Sequence, residues 1–213
     1  MRRNKLLSIA VLCLACHGGT EVPPNPDPVE PPSGPVARSA RGNLRFKGPE
    51  RINADFAAAL DLRAESVCTE LGLYPCTSVV HNVALGGVDP YGPGLYESSG
   101  VTASTTPLVI DRIAWAACTL RVNSDLGTPA AAAIFKDIPQ VGKKLANPDG
   151  AEVRGLITLL TQRALLRNPY RNEVERYIEL AKAIETTGNS EPAKSWMQSV
   201  CFAILSSTES IFY

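Results

Sequence analysis

Seven prolines between Pro23 and Pro35 decide where this chain can fold. They are interleaved with Asp27, Glu30 and Gly34. Such a run has no apolar face to bury and favours extended polyproline II. Residues 17–43 therefore read as a tether, reaching at most roughly 80 Å at about 3.1 Å per residue. Whatever core the 213 residues build must come from about 44–213, enough for one domain. The basic residues Arg38, Arg41, Arg45, Lys47 and Arg51 at the junction are spread out. They read as a solvated joint, with contact to anionic lipid or cell wall as the sharper alternative.

Four cysteines lie in the domain: Cys68, Cys76, Cys118 and Cys201. An even number reads, in an oxidising compartment, as two disulfides, in one of three pairings. The favoured pairing joins Cys68 to Cys76 across a small loop with Gly72 and Pro75, and Cys118 to Cys201 between two helices. Cys68 and Cys76 stand too far apart for a zinc knuckle, and His81 is the only histidine beyond the tether. No metal or other cofactor is therefore assigned.

The domain is expected to be mostly α: a disulfide-stapled helical bundle with a loop-rich insert at 72–105. Asn53 is placed as the cap of a helix over 54–65, with Phe56, Ala57 and Leu60 inward. Gly86, Gly87, Pro90, Gly92, Pro93, Gly94 and Gly100 break up the insert, leaving Ser78–Leu85 as a short strand. Thr106-Pro107 and Thr128-Pro129 each open a helix, to about Val122 and Asp137. Capping boxes are read at Asp149 with Glu152 and at Asn172 with Glu175, starting helices to Arg167 and to near Gly188. Ser190 caps the last helix, through about Ser206. Trp196, Val200, Cys201, Phe202, Ile204 and Leu205 make it apolar on nearly all sides, as a central core helix would be.

No catalytic constellation emerges. His81 has no recognisable nucleophile elbow near it in sequence. Glu173, Glu175, Glu179 and Glu185, beside Arg176 and Lys182, read as a solvated helix face. Gly86-Gly87 lacks the lysine of a phosphate loop. Tyr91 and Tyr96 either stack on a sugar or peptide or pack the insert onto the bundle.

The N-terminus reads Met1-Arg2-Arg3-Asn4-Lys5, then an apolar run from Leu6 to Ala15, then Cys16. It resembles a bacterial lipoprotein signal, although Cys13 stands where that pattern has a leucine-like residue. The resemblance implies that residues 1–15 are removed and Cys16 is lipidated. Residues 16–43 then tether the domain 44–213 to a membrane. Histidine rather than aspartate after Cys16 implies the outer membrane or cell surface. Removal takes Arg2, Arg3 and Lys5 from the 21 basic residues and none of the 21 acidic ones, leaving 18 against 21, a net charge of −3. Such a chain offers no electrostatic footprint for nucleic acid. Cys13-Leu14-Ala15-Cys16-His17 also spells C-x-x-C-H, the pattern of covalent haem attachment. The two fates exclude each other, because cleavage before Cys16 would separate Cys13 from Cys16 and His17.

A second resemblance lies at the C-terminus. Gln162-Arg163-Ala164-Leu165-Leu166-Arg167-Asn168-Pro169, followed by Glu173 and Tyr177, is similar to the helical ends of large exported proteins of planctomycetes and myxobacteria. So is Trp196 followed by the close Ser206-Ser207-Thr208-Glu209-Ser210-Ile211-Phe212-Tyr213. The sequence departs at Ser210, the family placing its aromatic residue ahead of the position of Phe212. Some relatives carry cytochrome domains, but the resemblance supplies no catalytic residue. The expectation is a lipid-anchored envelope protein that binds or assembles with an envelope protein or cell-wall partner. The alternatives are a haem electron-transfer accessory through Cys13, Cys16 and His17, and a cell-wall hydrolase built on the insert.

Overall fold

Pro49 sets where the first helix begins. Its ring holds φ near the helical value, and its missing N–H is not needed in a first turn. In the computed structural model, which describes residues 44–92, 94–99 and 102–213, α1 accordingly runs Gly48–Leu60. Asn53 is therefore inside the helix and caps nothing; its Nδ2 donates to the Ala64 carbonyl at 2.9 Å. The helix stops five residues short of Glu65 because Asp61 turns left-handed, φ 53°. Ile52, Phe56 and Leu60 form its buried stripe.

The chain next makes a small hairpin, β1 (Thr69–Glu70) against β2 (Tyr74–Pro75). Leu71 and Gly72 turn it with φ of 53° and 69°, and the Leu73 N–H donates to the Glu70 carbonyl at 3.0 Å. The Cys68–Cys76 disulfide closes the hairpin. The strand expected over 78–85 is absent. A π-type turn at Cys76–Val80 and a 3-10 turn at Val83–Leu85 stand there instead. The alternation read as a strand has no partner strand to pair with. Local turn bonds take its backbone groups, such as His81 N–H to the Cys76 carbonyl and Leu85 N–H to the His81 carbonyl.

Helix α2 (Thr106–Gly127) is a turn longer than its sequence stripe suggests. It continues to Asp125, whose side chain is wholly buried. That carboxylate accepts the backbone N–H groups of Ala133, Ile134 and Phe135 at 2.9–3.0 Å, and Arg121 Nη2 at 2.5 Å. The helix expected from Thr128-Pro129 to Asp137 is thereby reduced to a 3-10 turn at Pro129–Ala131. N–H groups that would have bonded along a helix wrap one carboxylate instead. A short hairpin follows, β3 (Gln140–Val141) with β4 (Lys144–Leu145).

Helix α3 (Ala151–Leu165) starts at Gly150 without a side-chain cap. Asp149 is drawn aside by Arg154, 2.5 Å away, so its expected capping box does not form. Helix α4 (Arg171–Thr186) is entered at Tyr170, two residues before the expected Asn172. Glu173, rather than Glu175, reaches back to the Tyr170 N–H at 2.7 Å. Helix α5 (Pro192–Leu205) begins with Pro192 in its first turn, not at Ser190. It packs against α2, α3 and α4 at the centre of the bundle. Trp196, Met197, Val200, Cys201, Ile204 and Leu205 are all buried, as an all-round apolar helix should be. Cys201 is bonded to Cys118 on α2. A last turn, α6 (Thr208–Ile211), brings Phe212 back to bridge Phe46 at the start of the domain.

The architecture is mostly helical with two disulfides, joined in one of the three pairings the sequence allows. Among the described residues no helix is long and apolar enough to cross a membrane. Bonds of this kind form and persist in oxidising compartments.

Candidate functional site

The hairpin and the turn after it carry most of the domain's unusual chemistry. Cys68, just before β1, and Glu70 on it are two apart along extended chain, so they share one face. Cys76 returns opposite them, its N–H donating to the Cys68 carbonyl at 3.1 Å. The following π-type turn brings His81 Nε2 to 3.3 Å from Glu70 Oε1. Helix α2 completes the cluster. Arg112 donates from Nε to Oε1 and from Nη2 to Oε2 of the same carboxylate, forming a two-pronged clamp. Hydrogen bonding from Arg112 is the main reason the Glu70 carboxyl is lowered to about 2 from an ordinary 4.5; partial burial opposes the shift and His81 adds to it. Glu70 is thus a fixed anion at neutral pH, bonded from two sides.

This arrangement bears on the expected hydrolase. His81 does meet an acid, but that acid is held by an arginine on the bundle. The Glu70–Arg112 pair locks the hairpin to α2, and His81 is fastened to it through Glu70. Glu70 and Arg112 were not singled out in the sequence. The face shared by Cys68 and Glu70 was legible once the hairpin is recognised; the approach of Arg112, 42 residues away, was not.

The rest of the insert is held by backbone bonds and by glycine geometry. Gly86 takes φ 74° with the Ser99 carbonyl only 2.7 Å from where a Cβ would sit, and Gly87 lies against Asn82. Only glycine fits this close approach, which is why Gly86-Gly87 occurs without any phosphate-loop chemistry. Asp89 accepts the Tyr91 and Gly92 N–H groups. Thr106 Oγ1 donates to the Ala84 carbonyl at 2.7 Å, tying the insert to the start of α2. Tyr91 and Tyr96 are 99% and 76% exposed, so they do not pack the insert onto the bundle. A cleft of about 660 Å³ runs between the insert and the two ends of the domain, lined by Arg45, Lys47, Glu50, Gly87, Ser98 and Tyr213 among others. Its basic wall is partly neutralised: Lys47 pairs with Asp55 at 3.0 Å.

The residues quoted for the C-terminal resemblance meet in one place. Arg167 binds Glu173 with both terminal nitrogens at 2.7–2.8 Å and Glu209 at 2.7–2.8 Å. Its guanidinium also lies over the Tyr170 ring, 4.6 Å from the centroid. Trp196 Nε1 donates to the Tyr177 carbonyl at 2.8 Å. Hydrogen bonds from Arg167 are the main cause that lowers both the Glu173 and the Glu209 carboxyls, against partial burial. The cluster fastens the α3–α4 turn to α6 and needs no ligand to explain it. Glu173 therefore leaves the solvated face to which it was assigned, and Glu175 bonds Arg154 at 3.0 Å.

Cys13, Cys16 and His17 and the proline-rich segment lie outside the described residues. No family model, curated protein or solved structure matches the chain.

Proposed function

We propose that this chain is a lipid-anchored protein of the cell envelope that binds a partner protein through its hairpin and insert. Where the large exposed hydrophobic residues fall carries the binding part of this reading. Of the nineteen such side chains among the described residues, ten fall between Leu71 and Tyr96. Leu71, Leu73, Tyr74, Val79, Tyr91 and Tyr96 stand out from a segment held rigid by a disulfide and by the Glu70–Arg112 clamp. Single exposed hydrophobics are ordinary, whereas a concentration on one pre-organised segment suits a protein interface. Aromatic side chains on a rigid loop supply contact area at low entropic cost. The anchor rests on the basic-apolar-Cys16 leader and on the prolines that follow it, in keeping with a disulfide-bonded domain. Two or more acyl chains on Cys16 would hold stably, at about 0.8 kcal/mol per buried methylene.

Intact mass of the protein from a bacterial membrane fraction, beside a Cys16→Ala control, tests the anchor. The expected species begins at Cys16 and carries acyl mass that the control lacks. A species that retains Cys13 and gains a haem-sized increment would overturn it in favour of electron transfer. The binding surface is tested by crosslinking in cells with photoreactive residues at Tyr91 and at Leu159 on α3. Crosslinks to an envelope protein are expected from position 91 and not from 159; the reverse pattern contradicts the assignment.

A further inference from the structure

Cys68, Glu70, Cys76 and His81 occupy fourteen consecutive positions, spaced Cys-x-Glu-x5-Cys-x4-His. In sequence Cys68 and Cys76 stand too far apart for a zinc knuckle, and His81 is the only histidine beyond the tether; folding brings these residues together. The hairpin places both sulfurs and a Glu70 carboxylate oxygen within 4.8 Å of one another. Glu70 Oε1 is the hub: Cys76 Sγ is 3.9 Å from it and His81 Nε2 is 3.3 Å from it. Around a tetrahedral zinc ion with bonds of about 2.0–2.3 Å, donor atoms stand roughly 3.3–3.8 Å apart. Glu70 Oε1 is therefore already close to that spacing from Cys76 and from His81, whereas His81 has to swing toward the sulfurs, which are bonded to each other. Their Cα atoms are 5.4 Å apart, so side-chain rotation alone can open the sulfur pair once the bond is cut.

We propose that the reduced form of the hairpin is a zinc site, with Cys68, Cys76, His81 and Glu70 as its four ligands. A dithiol reductant delivers two electrons and two protons to the disulfide. The S–S bond breaks, Cys68 and Cys76 become thiols, and the reductant is left as a disulfide. Zinc then displaces both thiol protons to solvent. Two thiolates, one carboxylate and neutral imidazole around a divalent ion leave the site with one net negative charge. Arg112 holds both Glu70 oxygens in the oxidised form; it yields Oε1 to the ion, keeps Oε2, and supplies the matching positive charge as the outer partner of a ligating carboxylate. A disulfide oxidant takes two electrons from the thiolates and two protons from solvent, leaving as a dithiol; the Cys68–Cys76 bond re-forms and the ion is released, so the same hairpin has a covalent and a metal-bound closed state.

The test uses the full chain with Cys13→Ser and Cys16→Ser, which removes the leader thiols. The protein is reduced without oxygen and titrated with Co²⁺ as a spectroscopic probe, then with Zn²⁺. One Co²⁺ per chain is expected, with thiolate charge-transfer and tetrahedral visible bands that Zn²⁺ abolishes; the oxidised chain should show neither. Glu70→Gln and His81→Gln should each weaken binding at least about tenfold, and Cys68→Ser should abolish the charge-transfer band. Circular dichroism follows the helices throughout. Helical signal kept, or lost on reduction and restored by the metal, supports the proposal. It is overturned if the reduced chain takes up no metal, if uptake survives Cys68→Ser, if neither Glu70→Gln nor His81→Gln weakens it, or if the helices melt and metal does not restore them.

Discussion

The two disulfides join very different surroundings. Cys118 and Cys201 are completely buried between α2 and α5, ringed by the apolar side chains of the bundle. Cys68 and Cys76 are buried as well, but they close a hairpin of a few residues whose turn, at Leu71, Leu73 and Tyr74, is exposed. In the bundle the bond adds to a core that packing already specifies. In the insert there is little core to add to, so the bond, the Arg112 clamp and the glycine turns do the specifying themselves. Rigidity without burial leaves side chains free for contact, and this is the physical case for placing binding in the insert and stability in the bundle.

That division can be broken or sharpened by substitution. The largest effect is expected from the bundle staple. The 83-residue separation of Cys118 and Cys201 corresponds to about 4.5 kcal/mol in the chain-entropy picture. Replacing both by alanine should lower the urea midpoint of the whole domain accordingly. Next comes Asp125→Ala, which leaves the buried Arg121 without its carboxylate partner and frees three backbone N–H groups. A loss of about 3–5 kcal/mol is expected in the same assay. Cys68 and Cys76, only eight residues apart, should contribute about 2.5 kcal/mol. Their loss should appear as faster hydrogen exchange in 69–85 more than as a lower global midpoint. If the two cysteine pairs changed the global midpoint equally, the contrast between the regions would be lost.

A smaller effect follows from Glu70. Its carboxyl is lowered in the folded protein, so the stabilisation it gives is complete above about pH 4.5 and drains away as pH falls toward about 2. Protection from hydrogen exchange over 69–81, after correction for the intrinsic rate, should therefore fall across that window, and Arg112→Gln should narrow the window by raising its lower end. The smallest effect is at Leu71. It is almost fully exposed and left-handed, a conformation that strains a side chain and not glycine. Leu71→Gly should tighten the hairpin by roughly 0.5–1 kcal/mol while removing one apolar contact from the binding face.

The helices were legible because their apolar stripes are local. α3, α4 and α5 follow from side chains three and four apart, and α5 is recognisable as the centre from its lack of a polar face. Their starts were less legible, since a proline can start a helix earlier and nearby polar groups take up the side chains read as caps. Asp149 goes to Arg154 and Asn53 to the Ala64 carbonyl. The region after α2 was misread for a related reason: nothing in Thr128–Asp137 itself reveals that Asp125 is buried and collects its N–H groups. The candidate site was half visible. Cysteines, His81 and the glycine-rich insert stand out in the sequence, whereas the Glu70–Arg112 clamp is a long-range pairing of two residue types that usually face solvent.

Native-state hydrogen exchange of the oxidised chain tests the division of labour most directly. The account predicts that amides of α2 and α5 exchange only through global unfolding, while those of 71–99 exchange through local opening at lower free energy, with 69–76 slowed by the disulfide. Equal protection of the insert and α5, or earlier opening of α5, would contradict it.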